Sequence, residues 1–166
     1  MNTIRLRLPI GYSQFTLEGG GWDPDQVAYT GGNGLAWATD AAVVVMTGVD
    51  SGHVPVTIGI GDRRPVPDLD KWDEAVEVGI TVAESTLVIC SPPGECLEEV
   101  PIPAGTYRMR IHARGRDAGR EAQFIDNDAG EPMVEEHLIL LWPAALAEEE
   151  RLKATDTVGA ENRGQA

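Results

Sequence analysis

From residue 106 to residue 114 apolar and polar side chains alternate without a break. Tyr107, Met109, Ile111 and Ala113 take one parity, and Arg108, Arg110, His112 and Arg114 take the other. Successive residues of a strand face opposite sides of the sheet, so this spacing predicts a half-buried strand with a basic row in solvent. Similar patterns recur at 3–8, 12–17, 35–38, 41–47, 54–60, 75–82, 86–90 and 137–142. Short strands at this spacing, separated by turn residues, predict an all-β chain: an antiparallel β-sandwich of about eight or nine strands.

The turn chemistry agrees. Gly19-Gly20-Gly21, Gly31-Gly32-Asn33-Gly34, Asp50-Ser51-Gly52 and Pro92-Pro93-Gly94 fall between the expected strands, where positive or fixed φ is useful. Segments 75–82 and 86–90, joined by Ala83-Glu84-Ser85, predict a hairpin. No internal repeat and no amphipathic helix precede residue 143. The pattern divides the chain into a β-sandwich at 1–143 and an acidic C-terminal tail at 144–166. Within the tail, 144–153 can form a short helix and 154–166 reads as frayed or disordered. Residues 115–136 make a long polar connection, and connections of that length in compact domains are usually functional or mobile.

Composition narrows the function. The 166 residues carry 27 acidic and 13 basic side chains, a formal charge of -14. Phosphate binding needs clustered Lys and Arg, so this balance argues against direct nucleic-acid binding; it suits plain solubility, or competition with nucleic acid for a basic partner. The last third, 121–166, is the most negative, with eleven acids against three bases. It follows the strand that holds the basic row, so internal pairing and partner binding both remain open for that row. Residues 1–10 lack an export signal's apolar stretch, and the apolar run at 41–46 is too short to span a bilayer. The expectation is a cytoplasmic protein without membrane contact, with Cys90 and Cys96 as reduced thiols. Their spacing is not that of a zinc knuckle and no neighbouring Cys or His completes a set, so neither metal nor cofactor is expected.

Three segments carry candidate chemistry. Asp68, Asp70, Asp73 and Glu74 surround Trp72, an acidic track around an aromatic that can imitate phosphates and a stacked base; the plain alternative is a core-anchoring Trp with solvated neighbours. Asp126, Asp128 and Glu131 cluster in the long connection, but glycine and glutamate do not fall at the EF-hand positions. No nucleophile–base pair can be assembled from His53, His112, His137 and Cys90, and no catalytic residue is assigned. Trp22, Trp37 and Trp142 read as core or packing residues.

Tyr12-Ser13-Gln14-Phe15-Thr16-Leu17 resembles the Tyr-x-Gln-Phe-Thr opening of the competence protein ComJ family, small acidic inhibitors of a DNA-entry nuclease. Lys71-Trp72-Asp73-Glu74, Pro103-Ala104-Gly105-Thr106-Tyr107 and Leu140-Leu141-Trp142-Pro143 also look like small actinobacterial proteins of similar size. The resemblance implies a β-rich, non-enzymatic binding protein of inhibitor or immunity type that occludes a basic partner such as a nuclease or toxin. It transfers no functional residue. Partner contact is therefore expected at Asp68, Asp70, Trp72, Asp73, Glu74, Asp126, Asp128 and Glu131. The alternative is a ligand-binding sandwich whose Arg108, Arg110, His112 and Arg114 face takes an anionic molecule or an acidic partner.

Overall fold

The computed structural model describes residues 1–21, 32–91, 95–125 and 134–164, with backbone alone at 124–125. Among these, twelve strands and two short helices occur. β1 (Asn2–Ile10), β5 (Ser51–Ile60), β11 (Glu136–Pro143), β9 (Gly105–Arg114), β6 (Glu74–Val82) and β12 (Glu150–Ala154) lie side by side in that order, with β10 (Phe124–Ile125) also on β5. A second sheet has the order β3 (Ala36–Ala38), β4 (Ala42–Met46), β2 (Gln14–Glu18), β7 (Thr86–Ser91), β8 (Glu95–Pro101). Pairing is antiparallel except where β10 and β11 meet β5. The expected antiparallel-rich sandwich is the observed fold.

The core follows from period-two patterning. Leu8, Phe15, Leu17, Val43, Val45, Val56, Ile58, Val76, Val78, Ile80, Leu87, Ile89, Met109, Ile111 and Ile139 form one buried cluster drawn from both sheets. Each such aliphatic side chain contributes roughly 1.5–3 kcal/mol when fully removed from water.

Four expectations change. First, 75–82 and 86–90 do not form a hairpin: β6 pairs with β9 and β12, while β7 pairs with β2 and β8. Alternation tells which face of a strand is buried but not which strand lies beside it. Here the link between β6 and β7 crosses from one sheet to the other. Ala83 N–H donates to Gly19 O at 2.8 Å, and Ser85 takes φ 58°. Second, β8 and β10 escaped the pattern, β8 because Glu95, Glu98 and Glu99 break its apolar rhythm.

Third, a helix precedes residue 143. α1 (Arg116–Ala122) begins after Gly115, whose φ of 77° lies in the left-handed region that glycine tolerates. Fourth, the segment beyond Pro143 joins the domain. Residues 144–149 are not helical; β12 adds to the edge of β6; α2 (Thr157–Asn162) follows, its N-cap Asp156 accepting from Gly159 N–H at 2.7 Å.

Candidate functional site

The outer face of the larger sheet is where sequence and structure meet. Alternation does put Arg108, Arg110 and His112 opposite the core face of β9, but this row is not in solvent. Their relative exposures are 7 %, 0 % and 1 %. Two stretches cover them, residues 61–73 between β5 and β6 and residues 144–149 between β11 and β12. Glu77, on the neighbouring strand β6, accepts from Arg110 Nε at 2.9 Å and lies 3.7 Å from Arg108 Nε. Arg108 also donates to the carbonyls of Ala147 and Glu148, at 2.9 and 2.6 Å. Arg110 donates to Pro65 O at 2.9 Å, and its guanidinium carbon lies 5.3 Å from the Trp142 ring centre. This is a built polar layer rather than a ligand face, and it corrects the alternative of an open arginine surface.

Two more members of the row hold Trp72. The His112 and Trp72 rings are 5.3 Å apart at 47°, and the Arg114 guanidinium stands 5.6 Å over the indole. Arg114 is half-buried and pairs with Glu136 at 2.6 Å. Burial pushes the His112 imidazole down to about 4, against the upward pull of its bond to Leu138 O. The ring is therefore neutral at pH 7, with Nδ1–H donating to that carbonyl.

The structure separates the expected contact residues into three groups. Asp68 and Asp70 are exposed. Trp72 is buried at 5 % exposure and Asp73 is half-buried. Asp73 accepts from Gly115 N–H at 2.9 Å, while its carbonyl takes the Thr155 N–H at 3.0 Å. Lys153 Nζ donates to Leu69 O at 2.9 Å. The plain reading of Trp72 as an anchor is thus what the packing shows, and the acids before it are held in place from both sides. Asp126, Asp128 and Glu131 lie outside the described residues.

Glu74 is fully buried, and its exposure as a contact residue is corrected. It belongs to a charge cluster under the C-terminal helix. Its Oε1 accepts from Asp156 N–H at 3.1 Å, and its Oε2 lies 3.2 Å from Arg163 Nη1. Burial first, and the Asp156 carboxylate second, push Glu74 up to about 7, while Arg116 pulls it down. Arg116, also fully buried, forks onto both oxygens of Asp156 and gives Nη1 to the carbonyls of Gly34 and Met46. Asp117 accepts from Thr157 and Val158 N–H at 3.0 and 2.9 Å. Burial would raise its carboxyl, but those donors outweigh it and hold Asp117 below the usual carboxylate value. None of Arg116, Asp156 or Arg163 was singled out by sequence. The signal was present in part, since Asp156 before Thr157 reads as a helix N-cap.

A third buried group was also missed. Glu135 accepts from Gly48 and Val49 N–H, both at 2.9 Å, and its Oε1 lies 2.9 Å from His137 Nε2. These contacts close the 47–50 turn onto β11 and leave both side chains without solvent.

The Cys90 and Cys96 side chains face each other on paired positions of β7 and β8, and form a disulfide. This corrects the expectation of two free thiols. Glu18 on β2 stands beside them, its Oε2 2.9 Å from Cys90 Sγ.

Three cavities among the described residues, of about 440, 360 and 230 Å³, are lined by neither Cys90 nor His112. No helix among the described residues is long and apolar enough to cross a membrane.

The residues before Trp72 form a different kind of surface. Val66, between Pro65 and Pro67, is 88 % exposed. Proline fixes its own φ and restrains the residue before it, so the valine is displayed on stiff backbone. Asp62, Asp68 and Asp70 are exposed on the same connection, and Arg64 leans back to Glu77 at 3.0 Å. Val66 thus stands exposed on a connection that carries Asp62, Asp68 and Asp70 together with the exposed Arg63, Arg64 and Lys71.

The architecture is a two-sheet sandwich whose β12 and α2 segment is pinned by the Arg116–Asp156 fork. Among solved structures it is similar to ComJ, inhibitor of the DNA degrading activity of NucA, from Bacillus subtilis. The TM-score is 0.59 at 16 % identity, over 87 % of this chain and 96 % of that one. It is also similar to crocagin biosynthetic gene J, with TM-score 0.57 and 16 % identity over 87 % of this chain and 98 % of that one. Likeness at this identity shows a shared fold. No protein-family model and no curated protein sequence matches the chain.

Proposed function

We infer that this protein is a non-catalytic inhibitor that binds a basic protein, a nuclease being the partner class its fold relationship favours. The observation that carries the reading is the 61–73 connection: exposed Val66 between two prolines, with Asp68 and Asp70 beyond it and Trp72 fixing the base. A net charge of -14 steers a cationic partner toward the surface from a distance and repels nucleic acid. The rigid apolar tip then supplies a desolvated contact, and acids around it occupy positions that phosphates would take in the partner's cleft. Asp126, Asp128 and Glu131 add their charge to the molecule's negative field. Trp72, Asp73 and Glu74 act from within, holding the loop's base.

The fold relationship supports this assignment because ComJ is an inhibitor of the DNA degrading activity of NucA. The buried arginine row supports it from the other side, since Arg108 and Arg110 are occupied by Glu77 and by backbone carbonyls and offer no face to an acidic partner. The test is to measure association with the captured partner for the native chain and for Asp68→Lys with Asp70→Lys. The expected result is slower association with a flatter salt dependence, at unchanged thermal stability. Equal association rates for both chains would remove these acids from the interface.

A further inference from the structure

The outer face of the smaller sheet carries a group of donors that the inhibitor reading does not use. Phe15 and Leu17 of β2 point into the core, so Thr16 and Glu18 point out; Leu87 and Ile89 of β7 do the same for Val88 and Cys90. Glu18 pairs in register with Val88, and Thr16 with Cys90, which sets Glu18 diagonally next to Cys90. Cys96 faces Cys90 from β8. One carboxylate oxygen and two sulfurs from three adjacent strands thus lie within 4.8 Å of one another.

The carboxylate has a chemical consequence. Glu18 Oε2 is 2.9 Å from Cys90 Sγ and 4.0 Å from Cys96 Sγ. A disulfide sulfur carries no proton and cannot donate to it. The same oxygen beside two thiols accepts a hydrogen bond, and beside two thiolates it completes a set of ligands around a cation. We propose that the reduced Cys90–Cys96 pair and Glu18 form a three-ligand site for a soft divalent transition-metal cation of the zinc type.

The chemistry and the fold both suit such an ion. Thiolate and carboxylate are accepted zinc ligands, and two thiolates at about 2.3 Å from one tetrahedral ion stand about 3.8 Å apart. Cys90 and Cys96 have Cα atoms 4.0 Å apart, so side-chain rotation alone opens the sulfurs to that separation. Cys90 is buried, Glu18 half-buried and Cys96 exposed, which leaves the fourth position facing water or a partner's donor. A dithiol reductant supplies the two electrons and two protons that convert the disulfide to two thiols, itself becoming a disulfide. The cation then displaces the two thiol protons to water. Oxidation removes the site, so metal binding reports the redox state of this edge.

The test is cobalt(II) titration of the full chain after reduction with a phosphine, followed by absorption in the thiolate-to-cobalt charge-transfer region and by zinc displacement. The expected result is one cobalt per reduced chain, with the band abolished by zinc. Cys96→Ser, at an exposed position, should remove the band, and Glu18→Gln should weaken cobalt binding several-fold while circular dichroism stays unchanged. The site is overturned if the reduced chain shows no charge-transfer band, if the oxidised chain binds equally well, or if Glu18→Gln binds cobalt as tightly as the native chain.

Discussion

Arg116 Nε and Nη2 meet the two carboxylate oxygens of Asp156 at 2.7 and 2.8 Å, joining the first turn of α1 to the N-cap of α2. Both side chains are buried. The fork fixes the C-terminal segment against the sandwich, and through Glu74 it connects that segment to the first residue of β6, next to the 61–73 connection.

Arg116→Ala should therefore destabilise the protein severely. Removing one partner leaves a buried carboxylate beside Glu74, a loss of roughly 3–5 kcal/mol. Urea unfolding of the variant checks this. Arg116→Lys should recover only part of it, because an ammonium cannot span both oxygens. Native-like stability in Arg116→Ala would show that β12 and α2 hold without the fork.

Glu74 gives a pH dependence of defined sign. Its folded value of about 7 lies above the ordinary carboxyl value of 4.5, so the folded state binds more protons between those limits. Its contribution is present in full below about 4.5 and is lost as pH rises through about 7. The stability difference between the native chain and Glu74→Gln should shift against the native chain over that window and be level above it. Chemical denaturation at a series of pH values measures the slope.

His112 acts with the opposite sign. Its folded value of about 4 lies below the ordinary imidazole value of 6.5, so unfolding takes up a proton and stability rises with pH across that interval. In an NMR titration its ring resonances should stay in the neutral form at pH 6. A midpoint at the free-imidazole value would mean that Trp72 does not cover the ring.

Gly48 has no room for a side chain, because a Cβ there would meet the Arg116 backbone carbonyl. Gly48→Ala should lower the melting temperature by several degrees, which differential scanning calorimetry reads directly. The turn it belongs to is the one that Glu135 closes by accepting from two backbone N–H groups.

Period-two alternation was enough to find the strands that line the core, because burial of one face is a local property of the sequence. The Met109 and Ile111 side of β9 followed from it directly. What lies against the other side did not, because Pro65, Ala147 and Trp142 reach Arg108 and Arg110 from distant segments. The same limit explains the misplaced β6–β7 hairpin, since pairing is chosen by the whole sheet. The tail was misread for a different reason. Its polar composition suits a frayed end, yet β12 gains its hydrogen bonds from the edge of β6, and α2 gains its caps from Asp156 and Asp117. Charge gave the acidic character of the candidate surface, while the fact that Glu74 is inside and Asp68 outside required the fold.

The proposed function is the binding and silencing of a basic nuclease through Asp68 and Asp70 of the 61–73 connection. The measurement that tests it most directly is affinity capture from the native organism's lysate at low and physiological salt. Mass spectrometry identifies the eluate, and its DNA-degrading activity is assayed with and without added protein. The account predicts a basic nuclease that elutes as salt rises and is inhibited by the native chain but far less by Asp68→Lys with Asp70→Lys. An eluate without DNA-degrading activity, or a nuclease that both chains inhibit equally, would contradict it.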